Sequence, residues 1–322
     1  MSKYAAVGVD IGGTKIAFAL VNEQGDVLIE ERLATHAEFG AERIITRIAA
    51  MANSFVARSP VPVVGIGIGC PGHVESDSGI VRLAVHLDWY DVALREGITC
   101  QLRENVPVYI DNDVRALAHG ESLYGAGKNI DNFVLLALGT GLGSAAVVNG
   151  EVVRGGHHFA MEIGHMALIA NGRHCTCGRE GCLDMYLSGT GIMAAVDEHK
   201  PAYPQSQLQN LPYITPHDVI CAMKEGDPLA VAIRDEFVYW LTYATGWITG
   251  IYDPSRIILG GGLGLALAPQ ILDDVQRRLS EHTLLPINQQ PQIVMAQVID
   301  SAVGAASLAL ANYQLSAPSK PS

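Results

Sequence analysis

The chain has no apolar run long enough to cross a membrane and no excess of positive charge. Its charge-free stretches, such as 133–148, are interrupted by glycine, serine and threonine, so no membrane partner is expected. The first residues lack the basic and apolar regions of a signal peptide, which favours a cytoplasmic protein. The net charge of −12 argues against nucleic acid as a partner.

Cysteine is also sparse. The six cysteines among 322 residues, three of them clustered, look like the reduced thiols of a reducing compartment. Hydrophobic residues make up 49% of the chain, which is therefore able to bury a sizeable core and is long enough for two domains of ordinary size.

Two common nucleotide-binding motifs are missing. There is no Walker A sequence, because Ser122 stands where a glycine must precede Gly127-Lys128. Residues 67–72 match G-x-G-x-x-G, but this fingerprint must open a helix, and Pro71 with the polar residues after it indicates a loop. A Rossmann site is therefore rejected, and a loop that brings backbone close to a small ligand stays as the interpretation.

What the chain does contain is a dense set of metal-binding side chains within 162–184. Three thiolates and one imidazole make a closed tetrahedral zinc set: Cys175, Cys177, Cys182 and His165. A buried free-thiol cluster and a redox pair are the alternatives, and the C-x-C spacing disfavours the redox pair. Four protein ligands leave no open position, so we expect a structural Zn²⁺ that shapes a loop.

A glycine-rich turn follows the first apolar run. Strands at 4–10 and 16–21 flank D-I-G-G-T-K, which predicts a hairpin. In its turn, 12–14, here called the first glycine turn, Gly12 and Gly13 are expected to take positive φ and to offer backbone N–H groups to phosphate oxygens. Asp10 is a candidate for holding Mg²⁺ through water, and Thr14 for donating its hydroxyl. An ordinary Gly-Gly hairpin turn is the alternative.

The same arrangement recurs about 130 residues later. A strand at 133–138, the motif G-T-G-L-G-S and a strand at 145–148 predict another hairpin, whose residues 139–141 are called the second glycine turn. Two such phosphate cradles suggest two like-built domains that face one another across a cleft.

A polar triplet, Asp111-Asn112-Asp113, ends a predicted strand at 106–110 and precedes a helix-like segment. One Asp or Asn at such a junction would cap the helix, but three exceed that need. The surplus carboxylate is a candidate general base, with Asn112 orienting a substrate hydroxyl.

The last glycine cluster is Gly260-Gly261-Gly262, after a predicted strand at 257–259. Its bare backbone would suit a flat ring such as adenine, and a flexible turn is the alternative. Helices are predicted at 41–58, 228–252, 269–281 and 301–311, and disorder at 316–322.

Taken together, these segments resemble the ROK family (repressor, open reading frame, kinase). The pairing of E-I-G-H with C-T-C-G-R-E-G-C is the most specific feature, and the order of motifs agrees over residues 4 to about 310. The resemblance implies an α/β, two-domain actin-like ATPase (ribonuclease H-like) fold with a central cleft. It also implies ATP-dependent phosphorylation of a hexose or N-acetylhexosamine at its 6-hydroxyl. Other members are repressors with an N-terminal helix-turn-helix, which this chain is expected to lack.

The resemblance implies the following site roles. Asp113 would be the catalytic base. The sugar contacts are Gly72, Asn112, Glu162, His165 and Asp184. The ATP and phosphate contacts are Asp10, Gly12, Gly13, Thr14, Lys15, Gly139, Thr140, Gly141, Gly260, Gly261 and Gly262. The remaining nitrogen of the zinc ligand His165 would face the sugar.

Three residues depart from the family pattern. Asp184 stands in place of a usual Glu, Met161 in place of a common Gly, and His86 where Asn is frequent. Because all three lie near the expected sugar site, these departures leave the identity of the sugar substrate undecided. The segment 86–92 favours a glucokinase, with an N-acetylmannosamine, N-acetylglucosamine or other hexose kinase and a non-catalytic sugar sensor as alternatives.

The sequence predicts two domains and a tail. A small domain covers 1–113 and is completed by a C-terminal helix, 301–315. A large domain, 114–300, carries the zinc loop, and 316–322 is a disordered tail. A homo-oligomer, dimer or tetramer, is expected.

Overall fold

The computed structural model describes residues 2–316, which form two compact units. The first unit comprises 2–129, Arg154–Ala160 and 297–316, and the second comprises Ile130–Val153 and Met161–Ala296. Within the described residues, no helix is both long and apolar enough to span a bilayer.

The secondary structure alternates between strands and helices. The strands are β1 (Ala5–Ile11), β2 (Lys15–Asn22), β3 (Val27–Ala34), β4 (Val63–Cys70), β5 (His73–Glu75), β6 (Ile80–Ala84), β7 (Trp89–Val92), β8 (Val108–Asn112), β9 (Phe133–Leu138), β10 (Leu142–Val148), β11 (Glu151–Val152), β12 (Arg256–Gly260) and β13 (Gln292–Met295). The α-helices are α1 (Gly40–Arg58), α2 (Leu94–Thr99), α3 (Asp113–Tyr124), α4 (Gly189–His199), α5 (Pro216–Lys224), α6 (Pro228–Tyr252), α7 (Gly261–Arg278) and α8 (Ser301–Ser316).

The main sheet of the first unit has the order β3-β2-β1-β4-β8. β2 is antiparallel to both of its neighbours, and β4 and β8 continue in parallel with β1. One face of this sheet packs against α1 in a core that contains Phe18, Ile44, Phe55 and Ile66. β5, β6 and β7 form a separate antiparallel sheet, and β5 lies within the segment where the sequence predicted a loop.

The other face of the sheet lies directly against α8. A Cβ on Gly8 would approach Ala302 O to 1.8 Å, and one on Gly67 would approach Ala305 O to 1.9 Å. Only glycine at these positions lets the helix backbone pack so closely. Gly67 is the first glycine of the G-x-G-x-x-G match, which therefore serves packing and agrees with the rejection of a Rossmann site.

The second unit repeats this topology, with the order β11-β10-β9-β12-β13. β9 and β10 form the predicted antiparallel hairpin, and β12 and β13 run parallel to β9. The repeat expected from the two glycine turns is thus confirmed. The predicted helix over 228–252 is also confirmed as α6, because Asp227 caps its start and Pro228 occupies its first turn.

Some of the predicted boundaries differ from the structure. Residues 114–129, 154–160 and 297–300, which were predicted in the large domain, belong to the first unit, in which α3 packs against α8. α7 begins at Gly261, eight residues before the predicted start, and contains Pro269 in its interior. The predicted tail lies outside the described residues, except for Ser316, which ends α8.

Candidate functional site

The first unit brings acidic side chains to one edge of its sheet. Asp10, Gly69 and Asp111 are register partners across the parallel strands β1, β4 and β8. Asp113 follows as the first residue of α3. A Cβ on Gly69 would lie 3.3 Å from Asp113 Cα and 3.6 Å from Asp10 Oδ1. Asp10 and Asp113 thus both lie beside Gly69, and the charge of Asp113 is felt by Asp10.

The pKa of Asp10 is raised from its ordinary value of 3.8 to about 6. Burial is the largest cause, and repulsion from Asp113 and Asp300 adds to it. The hydrogen bond that Ser301 Oγ donates to Asp10 Oδ2, at 2.5 Å, opposes the rise. A divalent cation that prefers oxygen ligands would offset the repulsion between these neighbouring carboxylates. The residues therefore fit the predicted Mg²⁺ site.

Asn112 caps α3 and also holds the loop at Gly72. Its Oδ1 accepts two backbone N–H groups of the first helical turn, at 3.0 and 3.2 Å, and its Nδ2 donates to Gly72 O at 3.2 Å. Gly72 has a φ of 89°, and a Cβ there would approach Leu83 O to 2.2 Å. The capping role considered from the sequence thus falls to Asn112. Asp113 is half-buried, and its Oδ1 accepts the N–H of Val114 at 3.0 Å.

Asp111 anchors the first unit. Its buried carboxylate accepts from Arg115 Nε at 2.5 Å and from Arg154 Nη2 at 2.7 Å. Burial alone would raise the pKa of Asp111, but the two guanidinium groups hold it below its ordinary value. Arg115 also donates to His158 O at 3.0 Å, which ties α3 to 154–160. A carboxylate held in this way is poorly suited to accept a proton.

The first glycine turn joins β1 to β2. Gly12 N donates to Lys15 O at 2.9 Å, while Thr35 donates its Oγ1 to Gly12 O (2.6 Å) and its N–H to Thr14 O (2.9 Å). Neither Gly12 nor Gly13 has a positive φ, so that expectation is wrong. Gly13, Thr14 and Lys15 are exposed, and the N–H groups of Gly13 and Thr14 have no acceptor among the described residues.

The second glycine turn also joins two antiparallel strands, β9 and β10, whose last paired residues enclose one residue fewer than those of β1 and β2. Gly139 N donates to Gly141 O at 2.9 Å. The start of α4 closes on the turn, with Gly189 N donating to Gly139 O (2.8 Å) and Thr190 N to Thr140 O (3.2 Å). Thr140 and Gly141 are exposed, and their N–H groups have no acceptor within residues 2–316. Each turn thus offers two adjacent N–H groups, as a phosphate cradle requires.

The third glycine cluster joins β12 to α7. Gly261 has a φ of 75°, and a Cβ there would approach Leu138 O to 2.3 Å, whereas a Cβ on Gly262 would meet nothing within 4 Å. Gly261 therefore lets α7 begin against the end of β9, beside the second glycine turn. The start of this 18-residue helix carries unpaired N–H groups and the positive end of the helix dipole, which suit an anionic ligand.

Four potential metal ligands converge in the second unit. One donor atom from each of His165, Cys175, Cys177 and Cys182 lies within 4.8 Å of the others. Cys175 Sγ is 3.7 Å from His165 Nδ1, and Cys177 Sγ is 3.6 Å from Cys182 Sγ. Ligands of a tetrahedral zinc, at about 2.0–2.3 Å from the metal, are roughly 3.4–3.8 Å apart. The four residues therefore fit the predicted zinc set, and His165 keeps its Nε2 for another partner.

The predicted sugar contacts of the second unit lie on either side of these ligands in sequence. Glu162 is exposed and precedes the short 3-10 helix Ile163–His165. Met161, where the ROK pattern has glycine, is buried with a φ of 72°, a conformation that glycine favours. Asp184 is buried, and its Oδ1 accepts the N–H of Leu142 at 2.6 Å. Its sugar contact stays a prediction.

Sequence reasoning missed the groups that position these side chains. They stand in separate segments and belong to no motif: Thr35, Arg115, Arg154, Thr190 and Ser301. Only Ser301 had a local signal, because Asp300 precedes it and caps α8 by accepting the N–H of Ala302 at 2.9 Å. His86 borders the first glycine turn, with its Cβ 3.4 Å from a Cβ built on Gly13.

Comparisons with known proteins agree with this architecture. The model of the ROK family matches residues 6–312. A glucokinase of Halalkalibacterium halodurans is 34% identical over 275 residues, which cover 83% of this chain and 82% of the relative. The xylose repressor of Bacillus subtilis is 26% identical over 314 residues, covering 96% of this chain and 77% of the repressor.

A solved ROK glucokinase of Streptomyces griseus, in complex with glucose and AMPPNP, superposes with a TM-score of 0.78 at 32% identity. The match covers 94% of this chain and 98% of that one. This similarity and the repeated strand order confirm the predicted actin-like ATPase fold. The relatives include both kinases and repressors, and the family model spans nearly the whole chain. The chain therefore belongs to the ROK family.

Proposed function

We propose that the chain is an ATP-dependent sugar kinase that transfers the γ-phosphoryl group to the 6-hydroxyl of a hexose, with glucose as the first candidate. The observation that carries this proposal is the placement of Asp113 beside Asp10 at the edge of the first sheet, with Asn112 as the helix cap. The glucokinase relatives support the same reaction.

Asp113 is the proposed general base. It accepts the proton of the 6-hydroxyl as the new O–P bond forms and the bond between the γ-phosphorus and ADP breaks. Asn112 has a second amide N–H for a sugar hydroxyl, because one donates to Gly72 O and Oδ1 caps α3. Glu162 and His165 Nε2 are the proposed contacts to other hydroxyls.

The phosphates of ATP are the proposed ligands of the two glycine turns and of the start of α7. The exposed N–H groups of Gly13, Thr14, Thr140 and Gly141 would donate to phosphate oxygens. Asp10 and its neighbouring acids would hold Mg²⁺, which neutralises phosphate charge when bound. Gly262, with open space at its Cα, is the proposed site of contact with adenine.

The cysteine cluster is proposed to hold a structural zinc. With Nδ1 of His165 on the metal, the ring orientation and tautomer are fixed, and Nε2 is kept for the sugar. A homo-oligomeric assembly stays part of the proposal.

One assay tests the reaction and the sugar together. ADP release is measured by a coupled assay with glucose, mannose, N-acetylglucosamine and N-acetylmannosamine, for the wild type and for Asp113→Asn. We expect turnover with glucose in the wild type and loss of turnover in the variant. The repressor relatives suggest a sugar sensor as the rival. Sugar binding by calorimetry without ADP release in the wild type would refute the kinase and favour the sensor.

A further inference from the structure

We propose that Asp184 is a positioning residue for ATP, which holds the second glycine turn in its phosphate-binding form, and that it does not contact the sugar. This inference rests on the proposed kinase function. It concerns a residue at which the chain departs from the family by one methylene.

The first argument is the contact that the carboxylate makes. Asp184 is 8% exposed, and its Oδ1 lies 2.6 Å from the N–H of Leu142, the residue directly after the second glycine turn. A hydrogen bond to an ionised acceptor is about twice as strong as a neutral one. The carboxylate also lies 2.9 Å from where a Cβ on Gly141 would be, so the glycine leaves the space that Asp184 occupies.

The second argument is the segment that Asp184 begins. Its backbone carbonyl accepts Ser188 Oγ at 2.5 Å, and the same Oγ caps α4 by accepting the N–H of Gly191 at 3.1 Å. Thr190 then holds Thr140 O through both its N–H (3.2 Å) and its Oγ1 (2.9 Å). The segment 184–190 thus holds the second glycine turn from two positions: Asp184 binds the residue after the turn, and Thr190 binds Thr140 within it.

Together, these bonds occupy the carbonyl groups of the turn and the N–H that follows it. The groups left for an external acceptor are the exposed N–H groups of Thr140 and Gly141, which the proposed function assigns to phosphate. The conformation of the turn therefore depends on the Asp184 carboxylate, although the carboxylate itself need not touch the nucleotide.

The residues directly before Asp184 are also held in place. Cys182, two residues before Asp184, belongs to the proposed zinc set, and Ala167 pairs with it in an isolated β-bridge. Leu183 N donates to Met166 O at 3.2 Å. A segment fixed in this way does not leave Asp184 free to turn toward another ligand without loss of the contact to Leu142.

The test separates ATP from sugar. Steady-state KM for ATP and for glucose, and binding of an ATP analogue by calorimetry, are measured for the wild type, Asp184→Ala, Asp184→Asn and the control Asp197→Asn, an exposed acid on α4. Metal content and melting temperature check that each variant is folded.

We expect Asp184→Ala to weaken ATP and analogue binding about tenfold, since a buried N–H loses its charged acceptor, with the KM for glucose within about twofold. Asp184→Asn keeps an acceptor oxygen and should restore most of the ATP affinity. A changed KM for glucose with unchanged ATP binding would overturn the inference, as would an equal effect on both substrates or none on either. If the wild type shows no turnover, the proposed function fails, and the calorimetric binding still tests Asp184.

Discussion

Replacing Asp10 with asparagine should make the folded protein more stable and the enzyme less active. Asp10 lies at the end of β1, beside Asp113 and Asp300, and burial with their repulsion raises its pKa to about 6. Asparagine carries no charge and keeps an oxygen that accepts from Ser301. The variant therefore removes the buried charge that destabilises the fold, and it also removes the proposed Mg²⁺ ligand.

The magnitude and its sign follow from the pKa. An acid whose pKa is raised in the folded state binds its proton more tightly there than in the unfolded chain, so ionisation of Asp10 destabilises the fold. This cost is absent below pH 3.8, grows with pH and is complete above about pH 6. The difference between 3.8 and about 6, at 1.36 kcal/mol per pKa unit, amounts to about 3 kcal/mol.

The measurement is the free energy of unfolding in urea, in a buffer without added Mg²⁺. At pH 7.5, Asp10→Asn should exceed the wild type by about 2–3 kcal/mol, and at pH 4.5 by about 1 kcal/mol or less. Asp273→Asn is the matched control, because it removes an exposed carboxylate on α7 and should leave stability within about 0.5 kcal/mol. The kcat/KM for MgATP should fall at least tenfold in Asp10→Asn, on the order expected for a lost metal ligand.

Two results would refute this reasoning. If Asp10→Asn is as stable as the wild type, or less stable, at pH 7.5, then the carboxylate carries no net cost in the fold. If the stability difference does not shrink between pH 7.5 and 4.5, the gain arises from something other than the charge. Full activity in a stabilised variant would leave the electrostatic argument intact and remove Asp10 from the proposed cation site.

Three further outcomes are expected. Asp113→Asn should keep sugar binding and lose kcat on the order of a hundredfold or more, because the amide accepts no proton; near-normal kcat would place the base elsewhere. Metal analysis should find one zinc per chain, and Cys177→Ser should lose it and melt at lower temperature; far less than one zinc with unchanged melting contradicts the site. Gly261→Ala should destabilise the fold by about 2 kcal/mol or more, because its φ of 75° is unfavourable for alanine and its Cβ would lie 2.3 Å from Leu138 O. Gly262→Ala, with nothing within 4 Å, is its control, and equal losses in the two would refute that account.

Much of the fold could be predicted from local sequence patterns. The two hairpins could be predicted because apolar runs flank glycine turns, and both turns proved to be strand connections. The bounds of α6 could be predicted because Asp227 and Pro228 mark its start and Asp253-Pro254 follow its end. The spacing of the zinc ligands predicted a cluster that the structure brings together.

The remaining features depend on contacts distant in sequence. Arg154 pairs with Asp111 across 43 positions, and no periodicity marks such a partner. α7 could not be recognised from its start, because Gly260–Gly262 resembles a turn and Pro269 resembles a helix boundary. The side on which α3 packs is decided by α8, nearly two hundred residues later.

Under the proposed function, the N–H groups exposed by both glycine turns have a consequence for how the phosphoryl donor is recognised. Every residue except proline offers the same amide donor, so a binding surface made of backbone N–H groups does not distinguish one phosphorylated molecule from another. Substitutions in the side chains of Thr14 or Thr140 can accumulate without altering the donors, provided that the turn conformation is kept. In the proposed kinase, the identity of the phosphoryl donor would therefore be set outside the two glycine turns, by residues that contact the rest of that molecule.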